Sequence, residues 1–541
     1  MDPGLCTTLD SRVVQKPDDH RGKLGGDLFA SLLGSSIMLP IDLPANAAAR
    51  DRIRAAYSPE LFAKASAGWA EILSQHLTHV QAGETRVLNW NDPLPNVRAA
   101  REVLDQAPAT ATGDERVARF RELLKVMLSR GHNLHHPHYV GHQVPPSVPL
   151  AGLFDALGAV TNQVMAIYEM GPWGMAVEQA LVGRLAEAIG WDPAQSAGVI
   201  THGGAAANLT ALLAARNVTL GDAWEMGVAR NGPAPVLVAQ AEAHYCMGRS
   251  AGILGLGTRQ VVKAEVDADH RLDPVRLDAS LTRLKSEGHP VIAVVACACA
   301  TPVGAFDPLN AVADVCEKHQ VWMHVDAAHG GSALLSSRYR HLCAGIERAD
   351  SVVWDAHKML FVPALCAFVM YRNREHSFRA FSQEAPYLFD ASAPDLREFD
   401  GGLRTLECTK RTAAYGLWGL WSLFGPQLFA DLVDVTFDMG SQFHAKLSAA
   451  PDFEPLHEPH CNIVVFRHTP EALKNATPEE VGMFQLRLRR NIIESGEFYL
   501  VHGVVNGVPA LRVTLMNPLT TPEDLDQLLE TLRARGRQLL A

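Results

Sequence analysis

Four short, almost uninterrupted apolar runs lie between Ala234 and Ala356: "APVLVAQ", "PVIAVVACA", "VWMHVDAA" and "DSVVWDA", with helical patterns between them. A strand that is apolar at every position has both faces covered. The inner strands of a mostly parallel sheet between two helical layers are built this way. Upstream, "GVITHGGAAANLTALLAARN" reads as a strand, a glycine-rich turn and a helix, and "VPLAGLFDALGAVTNQVMAIYEM" and "AVEQALVGRLAEAIGW" read as helices. The pattern predicts an α/β protein.

At 541 residues the chain is too long for one hydrophobic core. Residues 1–85 read as an N-terminal extension. It carries an apolar stretch from Leu28 to Pro44, too short to span a bilayer, that suits an amphipathic docking segment, and a helical pattern in "PELFAKASAGWAEILSQHL". Residues 86–150 read as a second N-terminal, helical segment, 151–425 as the large sheet-bearing domain, and 426–541 as a small α+β domain. The small domain has strand patterns in "CNIVVFRH" and "ALRVTLMN" and a last helix opened by the Thr-Pro-Glu of "TTPEDLDQLLETLRARG". A net charge of −11 with both signs interspersed and no basic block argues against nucleic-acid or membrane partners. Nine scattered cysteines without a CxxC pair fit reduced thiols and a cytoplasmic location.

Two of the apolar runs end in a carboxylate, Asp326 in "HVDAA" and Asp355 in "VVWDAHK". Ligands of open α/β sheets sit outside the carboxyl ends of the strands, so both are site candidates. In "THGGAAANLT" the small residues around Gly204 and Ala205 run straight into a helix, whose N-terminal N–H groups suit a phosphate. Lys358 stands between His357 and the apolar Met359 to Val362. Burying its ammonium there predicts either a depressed pKa or a covalent partner. A lysine, a carboxylate and a phosphate cup at neighbouring strand ends make a pyridoxal 5'-phosphate (PLP) site. Lys358 is then the Schiff-base amine, Asp326 keeps the pyridine nitrogen protonated, and Gly204 and Ala205 cradle the phosphate.

These residues resemble the group II PLP-dependent amino acid decarboxylases of fold type I, which include glutamate, cysteine sulfinate, aromatic amino acid and diaminobutyrate decarboxylases. "HPHYVGH", "YEMGP", "GGAAANL", "AQAEAHY", "TPVGAFDP", "HVDAAHGG", "DAHKMLFVPALCA" and "LRVTLMNPLTT" follow one another in the family's order from about His135 to the C-terminus. The resemblance implies a seven-stranded, mostly parallel sheet in the large domain, and a homodimer. Residues 86–150 are then expected near the substrate entrance and the dimer interface, with the N-terminal segment packing on the partner. It makes His244 the imidazole stacked on the cofactor ring and Ala328 the small residue beneath the other face. Thr301 becomes a neighbour of the ring substituents, and Asp355 and His357 lie on the phosphate side of the lysine. Arg512 is the expected partner of the substrate α-carboxylate, a task that suits a guanidinium fork, and His142 and Gln143 the side-chain selectors at the mouth. The cluster His132, His135, His136, His138 and His142 has no acidic or thiol partners at ligand spacing, so no metal is expected there.

The expected activity is α-decarboxylation of an L-amino acid to an amine and CO2, with Lys358, His244 and Asp326 as catalytic residues. Two departures from the family pattern stand out. Its Gly-Thr-Thr before "GAFDP" is here Cys299, Ala300, Thr301. No tyrosine lies between Leu388 and Lys410, where the family's mobile loop offers one as proton donor. That position aligns with Asp395, with Phe399 nearby. Protonation then falls to His244, His142 or Tyr387, and the alternative outcome is an aminotransferase or a decarboxylative aldehyde synthase.

Overall fold

The computed structural model describes residues 43–106, 110–381 and 398–541. Nearly all of the stretch from Leu28 to Pro44, and the loop positions Tyr387 and Asp395, lie outside the described residues. The described residues form two compact units, 43–68 with 110–121, and 69–106 with 122–381 and 398–541. The first holds the helix Leu43–Ala56 and the opening turns of the helices Pro59–Gln81 and Gly113–Ser129. The second holds both sheets.

The larger sheet has seven strands: β1 (Ala197–Thr201), β2 (Val236–Gln240), β3 (Val261–Ala264), β4 (Val291–Cys297), β5 (Met323–Asp326), β6 (Ser351–Asp355) and β7 (Ala367–Tyr371), in the order β1-β7-β6-β5-β4-β2-β3. From β3 to β6 every pairing is parallel. A parallel neighbour needs a long crossover. The connection from Asp355 to Ala367 contains no helix, so β7 returns antiparallel beside β6, and β1 pairs antiparallel with β7. β1 therefore points the same way as β6.

All positions of β1, β2, β4, β5, β6 and β7 are buried. Alternation divides their side chains between two layers. Val199 and Leu237 pack with Ala207, Ala211 and Leu212 of the helix Gly204–Leu220, while Ile200 and Val238 pack with Val177, Leu181 and Leu185 of the helix Pro172–Ile189. β3 and β7 were not among the runs read from the sequence. β3 is a half-exposed edge strand that lacks a continuous apolar run.

The smaller sheet is antiparallel, with β8 (Phe453–Pro455), β9 (Ile463–His468), β10 (Val501–Val505) and β11 (Val508–Thr514) in the order β10-β11-β9-β8. Apolar side chains of the helices Gln427–Ala449, Pro478–Ser495 and Pro522–Leu540 cover it. Thr521 opens the last helix with a reciprocal capping box to Asp524 and with Pro522 at the first helical position, the start signal expected there. The run from Val148 to Met170 is not one helix. It stops at Thr161, because Asn162 takes a left-handed conformation (φ 51°). Among the described residues no helix is long and apolar enough to cross a membrane.

One buried ion pair ties the layers to the chain that follows residues 382–397. Lys410 Nζ donates to Glu178 Oε1 (2.8 Å), Glu178 Oε2 (3.0 Å) and the Ile200 carbonyl (2.7 Å), and Glu178 Oε1 accepts the Ile200 N–H. Both side chains are almost fully buried. Removing one partner strands the other charge, so Lys410→Met should cost about 3–5 kcal/mol of unfolding free energy. Urea denaturation at neutral pH reads this, and a loss below about 1 kcal/mol would show that the charge finds another partner.

Candidate active site

β1, β2, β4, β5 and β6 release the chain at one edge of the large sheet, where open α/β sheets place their ligands. Gly203 and Gly204 follow β1, His244 follows β2, and Cys299 and Thr301 follow β4. Asp326 ends β5, and Asp355 ends β6 three residues before Lys358. With Gln143, Ala205, Ala328 and His357 these residues line a cavity of about 280 Å³.

Gly203 turns the chain out of β1 at φ 98°, a left-handed conformation that favours glycine. The 17-residue helix Gly204–Leu220 then starts against the cavity. A Cβ on Gly204 would lie 2.7 Å from Asp355 Oδ2, so that carboxylate fills the place of a side chain. Asp355 Oδ2 also lies 3.2 Å from Lys358 Nζ and 3.6 Å from His357 Nε2. Asp355 Oδ1 is buried with no hydrogen-bond partner among the described residues.

Lys358 departs from the depressed pKa that burial alone predicts. Burial does disfavour its ammonium, but the carboxylates of Asp355 and Asp326 outweigh that cost and raise its pKa above the ordinary value. Its side chain remains 21% exposed, on the cavity wall.

Asp326 is held by a directional chain of hydrogen bonds. Trp322 Nε1 donates to Ser351 Oγ (2.9 Å), whose hydroxyl lies 2.8 Å from His324 Nδ1. His324 Nε2 lies 2.7 Å from Asn208 Oδ1, and Asn208 Nδ2 donates to Asp326 Oδ2 (3.3 Å) and to the Gly204 carbonyl (2.9 Å). Asn208 Nδ2 donates, so its Oδ1 accepts and the His324 proton sits on Nε2. Burial holds the ring's pKa down at about 4, which keeps it neutral, and its Nδ1 then accepts from the Ser351 hydroxyl, so the donors run in one direction from the indole to Asp326.

His244 accepts the Cys246 N–H at Nδ1 (3.3 Å), which leaves the proton of a neutral ring on Nε2. Burial lowers its pKa, the Asp326 and Asp355 carboxylates pull against that, and Lys358 adds to it. The cavity does not include two of the expected substrate residues. His142, next to the lining residue Gln143, takes a left-handed conformation (φ 65°), and Arg512 is buried, with Nε donating to the Pro302 carbonyl (3.0 Å) and Nη2 to that of Thr301 (2.7 Å). The rest of the histidine cluster is structural. His135, His136 and His138 bond the carbonyls of Ser147, Thr85 and Glu497, and His132 packs on Tyr139 and Tyr499.

Sequence reading missed His202, Asn208, Tyr245, Cys299 and His329 as cavity residues. Asn208 carries a local signal, one helical turn beyond Gly204. The pairing of His202 Nδ1 with Glu407 Oε1 (2.6 Å) joins positions 205 residues apart and has none.

The family model described as the pyridoxal-dependent decarboxylase conserved domain matches residues 111–469. This chain belongs to the pyridoxal-dependent decarboxylases. Acidic amino acid decarboxylase GADL1 of Mus musculus is 30% identical to it over 385 residues, which is 70% of either chain. The crystal structure of mouse CSAD matches it with a TM-score of 0.76 at 26% identity, covering 86% of this chain and 98% of that one. Oryza sativa TDC, solved with PLP and tryptamine, shares the fold with a TM-score of 0.80 at 21% identity, over 90% of this chain and 99% of the other. This pyridoxal-dependent decarboxylase has the fold type I architecture, and its cofactor is PLP. The cavity fits that group, with a lysine amine, a helix N-terminus and a carboxylate held from behind.

The relay to Asp326 makes the decarboxylase sensitive to acid. His324 titrates at about 4 in the fold against an ordinary 6.5, so between these values the unfolded chain binds a proton that the folded chain refuses. The stability this provides is complete above pH ~6.5 and drains away as pH falls towards ~4. Urea midpoints should therefore fall from pH 7.5 to pH 5, and His324→Gln, which takes up no proton, should reduce that fall; an unchanged pH profile in the variant would count against the relay.

Proposed function

We propose that this decarboxylase acts on a small L-amino acid with an anionic side chain, releasing the α-carboxyl group as CO2 and leaving an amine. The observation that carries this reading is the charge at the mouth. The imidazolium of His142, beside Gln143, is disfavoured by partial burial and then by Arg512, Arg489 and Lys358, so several cations converge there. Arg512 is buried and donates to the backbone carbonyls of Pro302 and Thr301, and burial brings its pKa down to about 10. A substrate α-carboxylate would relieve that cost, and a second anionic group would suit the remaining positive field. The acidic amino acid decarboxylase named above, at 30% identity, supports the same substrate class.

Bound PLP supplies a protonated pyridine ring that accepts the electron pair of the breaking bond between Cα and the carboxylate. In our reading Lys358 Nζ would be the amine that holds the cofactor, and the Asp326 carboxylate would hold the proton of its ring nitrogen. Gly204, Ala205 and the helix N-terminus would take the phosphate, with Asp355 and His357 setting the lysine's position. Ala328 and His244 would bracket the ring, and Thr301 would border its substituents. His244 Nε2 is the proton donor to Cα, since the cavity includes His244 and not His142.

A panel of L-amino acids assayed for CO2 and amine, with and without oxygen, tests this. The expected result is at least tenfold higher kcat/KM for acidic side chains than for aromatic ones, with one amine per CO2. A preference for aromatic substrates, or aldehyde and peroxide formed only in oxygen, would overturn it. Lys358→Ala should abolish turnover and the imine absorbance of the bound cofactor.

We further infer that the decarboxylase is a homodimer of the reducing cytosol. Its eight described cysteines are all free. Leu150, Leu153, Leu157 and Val160 make an apolar stripe on the helix Pro149–Thr161, 39–61% exposed in the single chain. Such a contiguous stripe suits a second copy of the chain. Leu153→Glu combined with Leu157→Glu should shift the mass in solution from dimer to monomer; a wild-type monomer at micromolar concentration would contradict the assignment.

A further inference from the structure

Three side chains without a part in the proposed chemistry converge behind Thr301. Cys299 follows β4, His329 follows β5, and Cys461 precedes β9 in the smaller sheet. All three are buried, and one ligand-bearing atom from each lies within 4.8 Å of the other two. Cys299 Sγ and Cys461 Sγ are 3.9 Å apart. Two thiolates on one tetrahedral zinc, each bonded at about 2.3 Å, are separated by about 3.8 Å.

His329 provides an independent observation. Asn462 Nδ2 donates to the Leu515 carbonyl (3.3 Å), so its Oδ1 accepts from His329 Nε2 (2.9 Å). That fixes the proton on Nε2 and leaves a lone pair on Nδ1. The ring is 2% exposed, and Nδ1 is buried without a hydrogen-bond partner among the described residues. A ligating imidazole is characteristically arranged this way, with its second nitrogen held by an amide or carboxylate oxygen.

We propose that Cys299, His329 through Nδ1, and Cys461 form a binding site for Zn²⁺, a thiophilic d¹⁰ cation. Each thiol releases its proton to water as its sulfur bonds the metal. Two thiolates and a neutral imidazole then cancel the ion's charge, and a water completes four-coordination. The ion joins the ends of β4 and β5 to the start of β9. It thereby pins the Cys299–Gly304 turn, whose Thr301 and Pro302 carbonyls hold Arg512. Its role is to brace one wall of the cavity against the smaller sheet.

The test uses the purified PLP-loaded enzyme, dialysed against excess Zn²⁺ and then against metal-free buffer. Elemental analysis should find one zinc per wild-type chain and less than a tenth of that in Cys461→Ser and in His329→Phe. Should either variant fail to fold, X-ray absorption at the zinc edge of the wild type decides on its own. Two sulfurs near ~2.3 Å with nitrogen or oxygen near ~2.0 Å are expected. Wild type that retains no zinc overturns the proposal, as does zinc bound equally by folded variants. So does a wild-type mass lighter by two hydrogens without metal, which would mean a Cys299–Cys461 disulfide.

Discussion

A lysine ammonium held between two buried carboxylates is the constraint on which the rest of the cavity depends. Lys358 lies 3.2 Å from Asp355 Oδ2, and the field of Asp326 adds to that of Asp355, so the charge that burial should suppress is retained. Neither carboxylate could be kept there without the sheet. Both stand at the ends of parallel strands buried on both faces, and Met359, Leu360, Phe361 and Val362 fix the backbone that carries the lysine. The apolar run that makes Lys358 look misplaced in the sequence is what holds it at the strand end.

Asp326 is positioned by a different means. Its carboxylate is reached by four hydrogen bonds in series, from Trp322 through Ser351, His324 and Asn208, and the donors all point towards it. A chain with one permitted direction delivers a donor to the carboxylate and fixes where its oxygens stand on the cavity wall. Asn208 is the joint, since the same amide nitrogen also donates to the Gly204 carbonyl. The Gly204 end and the Asp326 end of the cavity are therefore set by one side chain.

What could be read from the sequence followed from local periodicity. Continuous apolar runs gave β2, β4, β5 and β6, Thr521-Pro522 gave the start of the last helix, and "WDAHK" and "HVDAA" placed their lysine and carboxylates on the cavity wall. The misses have physical causes of other kinds. Asn162 adopts a left-handed conformation that a helical pattern running through it does not reveal, and β3 is half exposed. The Lys358 shift comes first from Asp355 and then from Asp326, 32 positions earlier (358 − 326), and Cys299, His329 and Cys461 meet only once β9 docks beside the larger sheet.

Arg512 shows how the two sheets share one function. Its place on β11 belongs to the smaller sheet, yet two of its nitrogens are committed to carbonyls of the turn after β4. A guanidinium used in this way holds the turn that bears the lining residue Thr301 and at the same time adds its positive field at His142. Substituting it would loosen the turn as well as weaken any carboxylate contact, so a loss of activity in an Arg512 variant mixes two effects. Lysine at this position would keep the charge but lose the fork that reaches both carbonyls, and a larger defect in cavity order than in charge is the outcome this geometry favours.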